Sequence, residues 1–412
     1  MDIDKKIKII CVAGTRPEFI KVFPVYKKLL ELQENNRSGH IFEIKWLNTC
    51  QHKDLTVDLE NFFEIKPDFV FNLENMPDSQ DLRLAALGTE ILWQASQLFE
   101  EYKPDLVLIQ GDTLSAQQCA LAAFYLHIKV GHIEAGIRTN DINAPFPEEL
   151  ARRIISQVSI LNFTPGKISQ NTLEAEKIMY KSKSYNFYTG NTVVDTLDYS
   201  IKKIDNHTFS WQEYATVKQS FDNQEINLLE HLRQSKKYIL VTAHRRENSE
   251  ACKNLAKAIH RIATKFQGEI EFIISVHKNP NARVAFEELY GQCLQDKLHN
   301  IKFFEAVNYP LFLKLMANCF FIVTDSGGIQ EEAPYLSKPV LIFRNETERT
   351  EGIEYGLARL IGTQEHMIHG CIMDLITDTS SYESMIKNDL QPYGDGLAAS
   401  RIADVISLYF KK

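Results

Sequence analysis

Clusters of polar residues that could bind an anion stand directly after short apolar runs of this sequence. The first is GTRPEFIK, in which Arg16 and Lys21 flank the start of an expected helix and Pro17 lies near its first position. The N–H groups of a helix N-terminus and two cations can together form an anion site. A surface turn with solvated charges accounts for these residues equally well.

A second cluster, TDSGGIQEE, has the composition of a phosphate-binding turn. Gly327 and Gly328 let the backbone come close to a ligand, and the Ser326 hydroxyl can donate a hydrogen bond. Glu332, one turn into the following helix, could accept both hydroxyls of a ribose. Because a Gly-Gly turn is common between elements, the prediction depends on its position after a buried strand and before an acid.

Three further strand ends carry histidine or arginine. His244, with two adjacent arginines in TAHRREN, predicts a clamp for a diphosphate. RNETERTE supplies Arg344 and Arg349, and VHKNP supplies His277 and Asn279. A single histidine is more often structural, but three such clusters at strand ends favour one common site.

The fourth group is acidic. Asp112 in GDT and Glu134 in HIEAGIRT end neighbouring predicted strands, so we expect both carboxylates to face one pocket. Burial and like charge would raise the pKa of at least one of them, which suits proton transfer near neutral pH. PFPEELARR adds Glu148, Glu149 and Arg152. For the two glutamates, the alternative is charge complementing a helix dipole.

These residues need a scaffold, and the apolar runs predict one. In the first half the predicted strands are 7–14, 42–50, 105–112, 129–136, 160–166 and 185–191. In the second half they are 237–246, 270–277, 301–307, 320–328 and 338–345. Because helix-length segments separate them, we expect parallel sheets covered on both faces.

The length of 412 residues favours two domains, since single cores rarely grow beyond about 250–300 residues. We predict two doubly wound Rossmann-like α/β domains that face a central cleft, where ligands would meet the carboxyl ends of both sheets. The N-terminal domain is expected at 1–195, with a C-terminal helix at 391–412 packing back on it. The C-terminal domain is expected at 196–390.

Composition excludes several classes of protein. The net charge of -8 argues against a nucleic-acid binder. Seven dispersed cysteines without a CxxC pair predict reduced thiols and a cytoplasmic location. Neither a signal peptide nor an apolar stretch of roughly 18 residues is found, so no membrane association is expected. HExxH spacing is absent, and no metal is predicted.

In sequence order, these motifs closely resemble those of the non-hydrolysing UDP-N-acetylglucosamine 2-epimerase family. The resemblance runs from Gly14 to about Gly396 through GTRPE, QH, GDT, HIEAGIRT, PEE, TGNTVVD, HRREN, HKNP, TDSGGIQEE, TER and PYGDG. It implies a GT-B-like fold, a homodimer, and interconversion of UDP-GlcNAc and UDP-ManNAc with neither a nicotinamide nor a metal.

The resemblance also assigns roles. The residues it implies for UDP binding are Arg16, Lys21, His244, Ser326, Gly327, Gly328, Glu332 and Arg349. The residues it implies for catalysis are Asp112, Glu134, Glu148, Arg152 and His244.

The implied chemistry explains why cations and carboxylates occur together. C2 of an N-acetylhexosamine has no adjacent carbonyl, so its proton is too weakly acidic for simple removal and return. Loss of UDP from C1 with loss of the C2 proton gives a glycal, and re-addition on the opposite face inverts C2. Such a path needs cations for the departing diphosphate and two proton-handling groups. Which carboxylate is the base stays open.

Two positions depart from the family pattern. Ala151 replaces a usual asparagine in PEELAR, while Arg152 is retained, so we expect activity to persist. Gln51 and His52 match one side of the family's activator pocket, in which the UDP-sugar substrate also binds. The usual Arg-Gln pair further along the chain is Ser79-Gln80 here, which leaves allosteric activation open.

Other functions fit the same motifs less well. A GT-B glycosyltransferase would use the same UDP grip and pass the sugar to an acceptor. A hydrolysing epimerase would release free ManNAc, and an inactive UDP-sugar sensor would bind without turnover. The epimerase could also act on a UDP-hexosamine altered at C3, C4 or C6. Its product would supply ManNAc-type sugars for a surface polysaccharide.

Overall fold

The computed structural model describes residues 6–35, 41–52, 56–74, 76–77, 79–180, 183–234, 237–243, 249–277, 280–386 and 391–411. The chain divides into two compact units. Unit 1 comprises Met1–Tyr199 and Tyr393–Lys412, and unit 2 comprises Ser200–Pro392.

Unit 1 alternates strands and helices. Its strands are β1 (Lys6–Ala13), β2 (Ile41–Asn48), β3 (Phe69–Val70), β4 (Leu106–Gln110), β5 (Lys129–Ile133), β6 (Leu161–Thr164) and β7 (Tyr185–Tyr188). Its helices are α1 (Arg16–Asn35), α2 (Val57–Phe63), α3 (Gln80–Tyr102), α4 (Leu114–Tyr125), α5 (Glu148–Val158), α6 (Lys167–Tyr180) and α7 (Thr192–Ile204), within which the boundary falls.

In the described part of unit 1, seven strands form one parallel sheet in the order β3-β2-β1-β4-β5-β6-β7. The sequence of β4, LVLIQ, is buried at every position, as expected for a strand with helices on both faces. The strand order reverses direction between β1 and β4. In open α/β sheets, ligands bind outside the carboxyl ends of the strands at such a point.

Unit 2 repeats the plan. Its strands are β8 (Thr216–Lys218), β9 (Glu225–Asn227), β10 (Tyr238–Ala243), β11 (Glu271–Val276), β12 (Ile301–Glu305), β13 (Ile322–Thr324), β14 (Val340–Ile342) and β15 (Ala358–Leu360). Its helices are α8 (Leu228–Gln234), α9 (Ser249–Lys265), α10 (Pro280–Asp296), α11 (Tyr309–Asn318), α12 (Gly327–Glu332), α13 (Glu351–Glu354), α14 (Glu365–Thr377) and α15 (Thr379–Ser384).

The described strands of unit 2 form a six-stranded parallel sheet in the order β12-β11-β10-β13-β14-β15, which reverses between β10 and β13. The strands β8 and β9 form a separate antiparallel pair. Apolar side chains of β10, β11 and α9 build the core of this unit, with Phe272 and Phe286 fully buried. Each sheet therefore has a core of its own.

The last helix, α16 (Ala398–Phe410), belongs to unit 1. The carboxylate of Asp195 on α7 accepts the backbone N–H groups of Ala399 at 2.9 Å and Ala398 at 3.3 Å, and so caps this helix. Burial raises the pKa of Asp195 to about 6. In the part of the chain that the structure describes, no helix is both long and apolar enough to cross a membrane.

Each run predicted as a strand overlaps an observed strand, whereas the short strands β3, β8, β9 and β15 were not predicted. They contain two or three residues each, too few for an alternating pattern to be recognised. Helix α1 also extends well beyond the helix start that Arg16 and Pro17 indicate in the sequence. It begins at Arg16 and continues through Pro24, whose ring lies inside the helix.

Candidate functional site

The turn after β1 is shaped by one very close contact. A Cβ atom at Gly14 would lie 1.8 Å from the Thr49 hydroxyl oxygen and 2.8 Å from that of Ser115, so only glycine fits. Thr49 and Ser115 are themselves hydrogen-bonded through their hydroxyls at 2.7 Å. The GT of GTRPE therefore lies directly against the ends of β2 and α4.

Two cations follow this turn on α1, as predicted. Arg16 is the first residue of the helix and is half-buried. Lys21 is buried one turn later, and its Nζ lies 2.7 Å from Oε1 of Glu134 in the loop after β5. The structure thus joins a cation expected to bind UDP to a carboxylate expected to act in catalysis.

Asp112 has a cation of its own. Its Oδ2 accepts hydrogen bonds from Nε and Nη2 of Arg152 on α5, at 2.8 and 2.6 Å. The Arg152 side chain is 7% exposed and that of Asp112 is 27% exposed, so the carboxylate remains open to solvent at one side. Asp112 and Glu134 therefore form two separate ion pairs. The expected effect of one on the pKa of the other stays a prediction.

Glu134 has an unusual backbone. Its φ is 65°, in the left-handed region that a residue with a side chain rarely adopts. Its Oε2 accepts a short hydrogen bond from the Gln110 side chain, and Lys21 holds its Oε1. Conformations of this kind persist where the surroundings hold them, and they cluster at functional sites.

The two glutamates of PFPEELARR differ sharply in their surroundings. Glu149 is fully buried and accepts the backbone N–H of Thr139 at 3.0 Å and the Nε of Arg153 at 3.0 Å. Burial alone would raise the pKa of Glu149, but these bonds and the charges of Arg152 and Arg153 outweigh burial and lower it. Glu149 thus anchors the loop before α5, while Glu148 is half-buried at the first position of that helix.

Glu18 was not predicted as a site residue, although it is the glutamate of GTRPE. It is fully buried, and its Oε2 accepts the backbone N–H groups of Gly14 at 2.9 Å and Thr15 at 2.8 Å. Its Oε1 accepts the hydroxyl of Thr113 at 2.5 Å. Burial raises the pKa of Glu18 to about 7. The only sequence signal was its place in the motif.

His132 on β5 was also not predicted. It is 1% exposed, and its Nε2 lies 2.7 Å from the backbone carbonyl oxygen of Gly111. Burial, with smaller contributions from the charges of Arg138 and Arg152, lowers the pKa of His132 to about 4. A histidine inside an apolar run is usually interpreted as a core residue, so no feature of the sequence distinguished it.

In unit 2, the turn after β13 begins with a bonded pair of threonines. The Thr242 and Thr324 hydroxyls lie 2.7 Å apart across the β10–β13 pair, and Oγ1 of Thr324 accepts the Ser326 N–H at 3.0 Å. Ser326 then precedes α12, whose first two residues are Gly327 and Gly328. The predicted phosphate turn therefore lies at the reversal point of the second sheet.

Arg349 packs onto this turn. A Cβ at Gly327 would lie 2.9 Å from its Cζ, so the guanidinium rests against the glycine backbone. Its Nε donates to Glu331 at 3.0 Å and its Nη1 to Glu348 at 2.5 Å. Glu332, the predicted ribose ligand, is 8% exposed at the end of α12. The structure thus places Ser326, Glu332 and Arg349 around one short helix.

The residues predicted for an activator site, Gln51 and His52, lie near the start of α4. The side-chain oxygen of Gln51 accepts the N–H of Ser115 at 2.9 Å and its hydroxyl at 2.7 Å, so Gln51 helps to hold the start of α4. His52 is next to it and exposed; desolvation and then the charge of Arg83 lower its pKa. His244 and Asn279 lie outside the residues that the structure describes.

Comparison with known proteins gives one consistent result. The profile of the family described as UDP-N-acetylglucosamine 2-epimerase matches residues 33–407. The UDP-N-acetylglucosamine 2-epimerase of Bacillus subtilis is 38% identical over 408 residues, 98% of this chain and 96% of that protein. The enzyme of the same name from Campylobacter jejuni is 39% identical over 401 residues, 97% of each chain.

Solved structures agree. The crystal structure of UDP-GlcNAc 2-epimerase from Neisseria meningitidis bound to UDP-GlcNAc superposes with a TM-score of 0.81. It is 36% identical and covers 97% of this chain and 99% of its own. This similarity confirms the predicted fold class, a GT-B-like pair of Rossmann-like domains.

Proposed function

The chain belongs to the UDP-N-acetylglucosamine 2-epimerase family, and we propose that this isomerase interconverts UDP-GlcNAc and UDP-ManNAc by eliminating and re-adding UDP. The observation that carries the mechanism is the placement of two carboxylates, each with its own buried cation, at neighbouring strand ends of unit 1. Unit 2 contributes a glycine turn and an arginine suited to a diphosphate.

The proposed reaction balances without an added reagent. The C1–O bond breaks with its electron pair on UDP, the C2 proton passes to a carboxylate, and a C1=C2 double bond forms. A proton then returns to C2 from the opposite face, and a UDP oxygen adds back to C1. Two proton carriers and a held leaving group are therefore sufficient.

Asp112 and Glu134 are the proposed proton carriers, with Glu148 as a third candidate. Arg152 orients Asp112 through two hydrogen bonds, and Lys21 orients Glu134 at 2.7 Å. Charge-assisted bonds of this kind fix the direction of a carboxylate more firmly than neutral ones. Each carboxylate acts on one face of the sugar. One of them therefore removes the C2 proton from UDP-GlcNAc, and the other removes it from UDP-ManNAc.

UDP is proposed to bind at the start of α12 in unit 2. Ser326 and the backbone of Gly327 and Gly328 would contact phosphate, Glu332 would accept the ribose hydroxyls, and Arg349 would stabilise the diphosphate once it has left C1. Its contact with Gly327 supports this role, because it keeps the guanidinium at the turn. Arg16 and His244 are proposed as further groups for the diphosphate.

Three finer proposals rest on the family resemblance. Gln51 and His52 would line a second site for the UDP-sugar as activator, and two copies of the chain would form the working enzyme in the cytoplasm. Its product would supply ManNAc-type sugars for a surface polysaccharide. Gln51 already contacts α4, the helix that follows Asp112, so occupation of a site there could affect the proposed catalytic loop.

Proton exchange at C2 tests the proposal directly. The protein is incubated with UDP-GlcNAc in D2O and followed by NMR, together with UDP-hexosamines altered at C3, C4 or C6. We expect deuterium to enter C2 and UDP-ManNAc to accumulate. Folded protein that binds UDP but gives neither signal with any of these sugars would refute the function.

A further inference from the structure

The proposed catalytic Asp112 lies in a three-residue turn, Gly111–Thr113, between β4 and α4. Gly111 has a φ of 70°, and Thr113 caps α4 by accepting the Ala116 N–H at 3.0 Å. An aspartate in so short a turn has little freedom apart from its own side-chain torsions. Arg152 bonds the carboxylate itself, and whatever holds the two neighbours of Asp112 decides where its backbone presents that carboxylate.

His132 holds the residue before Asp112. The carbonyl oxygen of Gly111 can only accept, so Nε2 of the imidazole must be the atom that carries the proton. The depressed pKa of His132, which burial causes, keeps the ring neutral at neutral pH, and the bond to Gly111 fixes the tautomer. The bond joins the middle of the sheet to the start of the turn.

The second ring nitrogen of His132, Nδ1, lowers the stability of the folded state. Among the described residues, Nδ1 has no hydrogen-bond partner, and the whole side chain is 1% exposed. A buried acceptor without a donor costs free energy that an apolar side chain of similar size would not. Folding stability alone therefore does not account for a histidine here, whereas its bond to Gly111 does.

Glu18 holds the residue after Asp112. Its carboxylate bonds the hydroxyl of Thr113 at 2.5 Å and, through its other oxygen, the backbone of Gly14 and Thr15. The turn after β1, where Arg16 begins α1, and the turn after β4 are thus tied together by one fully buried group. A shift of either turn would break at least one of these bonds.

We propose that His132 and Glu18 are positioning residues that fix the turn on both sides of Asp112 and so align its carboxylate with the C2 proton. The proposal rests on the proposed function, because it assumes that Asp112 handles this proton. Neither residue needs to touch the sugar. Loss of the His132 bond should lower kcat and leave KM and UDP binding nearly unchanged, because the carbonyl that it holds belongs to the Asp112 turn. Loss of the Glu18 bonds should lower kcat and affect UDP binding as well, because Glu18 also holds the turn at which Arg16, a proposed diphosphate ligand, begins α1.

Two variants at one position separate positioning from packing. His132→Leu keeps an apolar side chain but removes the donor, whereas His132→Gln places an amide nitrogen close to where Nε2 lies. We expect kcat of His132→Leu to fall about tenfold to a hundredfold, since small misplacements of a catalytic group have effects of this size. His132→Gln should stay within about threefold of wild type. The free energy of unfolding should change little, because Leu removes one buried unpaired acceptor, Nδ1, and leaves the Gly111 carbonyl without this donor.

Asn162 provides a matched control. It is the register partner of His132 on β6, is equally buried, and bonds Asn186 at 3.0 Å, away from the turn. Its Oδ1, like Nδ1 of His132, has no hydrogen-bond partner among the described residues, so Asn162→Leu makes a comparable change in the core. It should not change kcat by more than about twofold. For Glu18, Thr113→Val removes the hydroxyl that it bonds and should lower kcat, whereas Thr113→Ser keeps it and should not.

The outcomes divide clearly. Wild-type kcat in His132→Leu, equal losses in the Leu and Gln variants, or an equal loss in Asn162→Leu would each overturn the proposal. Wild type and Asp112→Asn are assayed beside them for deuterium entry at C2. Absence of exchange in wild type would count against the proposed function itself. This inference alone would be contradicted if wild type exchanged the C2 proton, Asp112→Asn did not, and His132→Leu exchanged it at the wild-type rate.

Discussion

Units 1 and 2 share a strand order yet carry different chemistry at the same place. In each sheet the direction of the order reverses between the first and fourth strands of its parallel core, β1 and β4 in one and β10 and β13 in the other. At this point the described residues of unit 1 include Asp112 and Glu134, two carboxylates that bond Arg152 and Lys21. The described residues of unit 2 include glycines, hydroxyls and Arg349, which bonds two glutamates. The scaffold thus sets where a ligand would meet the sheet, and under the proposed function the loops decide between proton transfer and anion binding.

The polar groups at these two places also differ in how firmly their surroundings hold them. In unit 1, Asp112 lies in a turn held on both sides by fully buried groups, and Glu134 has a left-handed backbone. In unit 2, Arg349 extends from a half-buried loop to a short helix. Proton transfer needs exact alignment over a short distance, whereas a diphosphate can be held by a longer, adaptable side chain. The following predictions test this division, beginning with the largest effect.

Asp112→Asn should abolish turnover while leaving nucleotide binding intact. The amide keeps the shape of the carboxylate but cannot take a proton, and losing one general acid or base typically costs about 10²- to 10⁴-fold in kcat. The affinity for UDP, measured by calorimetry, should stay within about twofold of wild type. Asp404→Asn on the exposed side of α16 is the control and should change neither quantity. An equal loss of UDP affinity and kcat in Asp112→Asn would contradict the division between the units.

Arg349→Ala should show the opposite pattern in UDP binding. Loss of a charge-assisted contact to the diphosphate should weaken UDP binding about tenfold to a hundredfold. Calorimetry with UDP measures it without any turnover. Arg359 on β15 serves as the control, because it is an arginine of the same unit that pairs loosely with Asp374 at 3.6 Å. If Arg359→Ala weakens binding as much as Arg349→Ala, general loss of positive charge, rather than the turn, explains the effect.

Two adjacent glycines sharpen the description of unit 2. A Cβ at Gly327 would lie 2.9 Å from Arg349 Cζ. A Cβ at Gly328 would meet no described atom within 4 Å beyond its chain neighbours and its own helix backbone. Gly327→Ala should therefore displace the guanidinium and lower the melting temperature. Gly328→Ala should raise it slightly, since alanine gains about 0.5–1 kcal/mol over glycine inside a helix. Equal shifts in both variants would show that Arg349 does not pack on Gly327 as described.

The strand-end positions of both sites could be predicted because apolar runs mark buried parallel strands and polar residues stand where those runs stop. Asp112, Glu134 and Ser326 were found in this way. The sequence could not show that Lys21 pairs with Glu134, because residues so far apart in the chain come together only through the strand order. It also could not distinguish Glu149, which anchors a loop, from its neighbour Glu148.

Buried polar groups were the second feature that could not be predicted from the sequence. Glu18 and His132 each stand among apolar residues, and neither spacing nor composition indicates whether such a group has a hydrogen-bond partner. The short strands β8 and β9 were not predicted for a related reason. They form an isolated pair with exposed positions, so no run of apolar residues marks them. What the sequence leaves open is mainly the pairing of groups from distant segments.

Buried titratable groups of unit 1 make its stability depend on pH, and their signs differ. Burial lowers the pKa of His132 from 6.5 to about 4, so the unfolded chain binds a proton that the folded chain does not. Its contribution to stability is therefore fully present above about pH 6.5 and is lost as the pH falls toward 4. Burial raises the pKa of Glu18 to about 7 and of Asp195 to about 6. These two groups act in the opposite direction, because the folded form holds the proton longer.

The last prediction isolates the contribution of His132 to this pH dependence by difference. Urea unfolding of unit 1 is followed at pH 7 and at pH 5 for wild type and His132→Leu. Glu18 and Asp195 are present in both proteins, so their effects cancel. The wild type should lose about 2 kcal/mol more than the variant between the two pH values, as linkage gives for a histidine pKa lowered from 6.5 to about 4. Asn162→Leu should retain the wild-type dependence, because Asn162 does not titrate. Identical pH dependence in wild type and His132→Leu would mean that burial does not hold the imidazole neutral between pH 7 and pH 5.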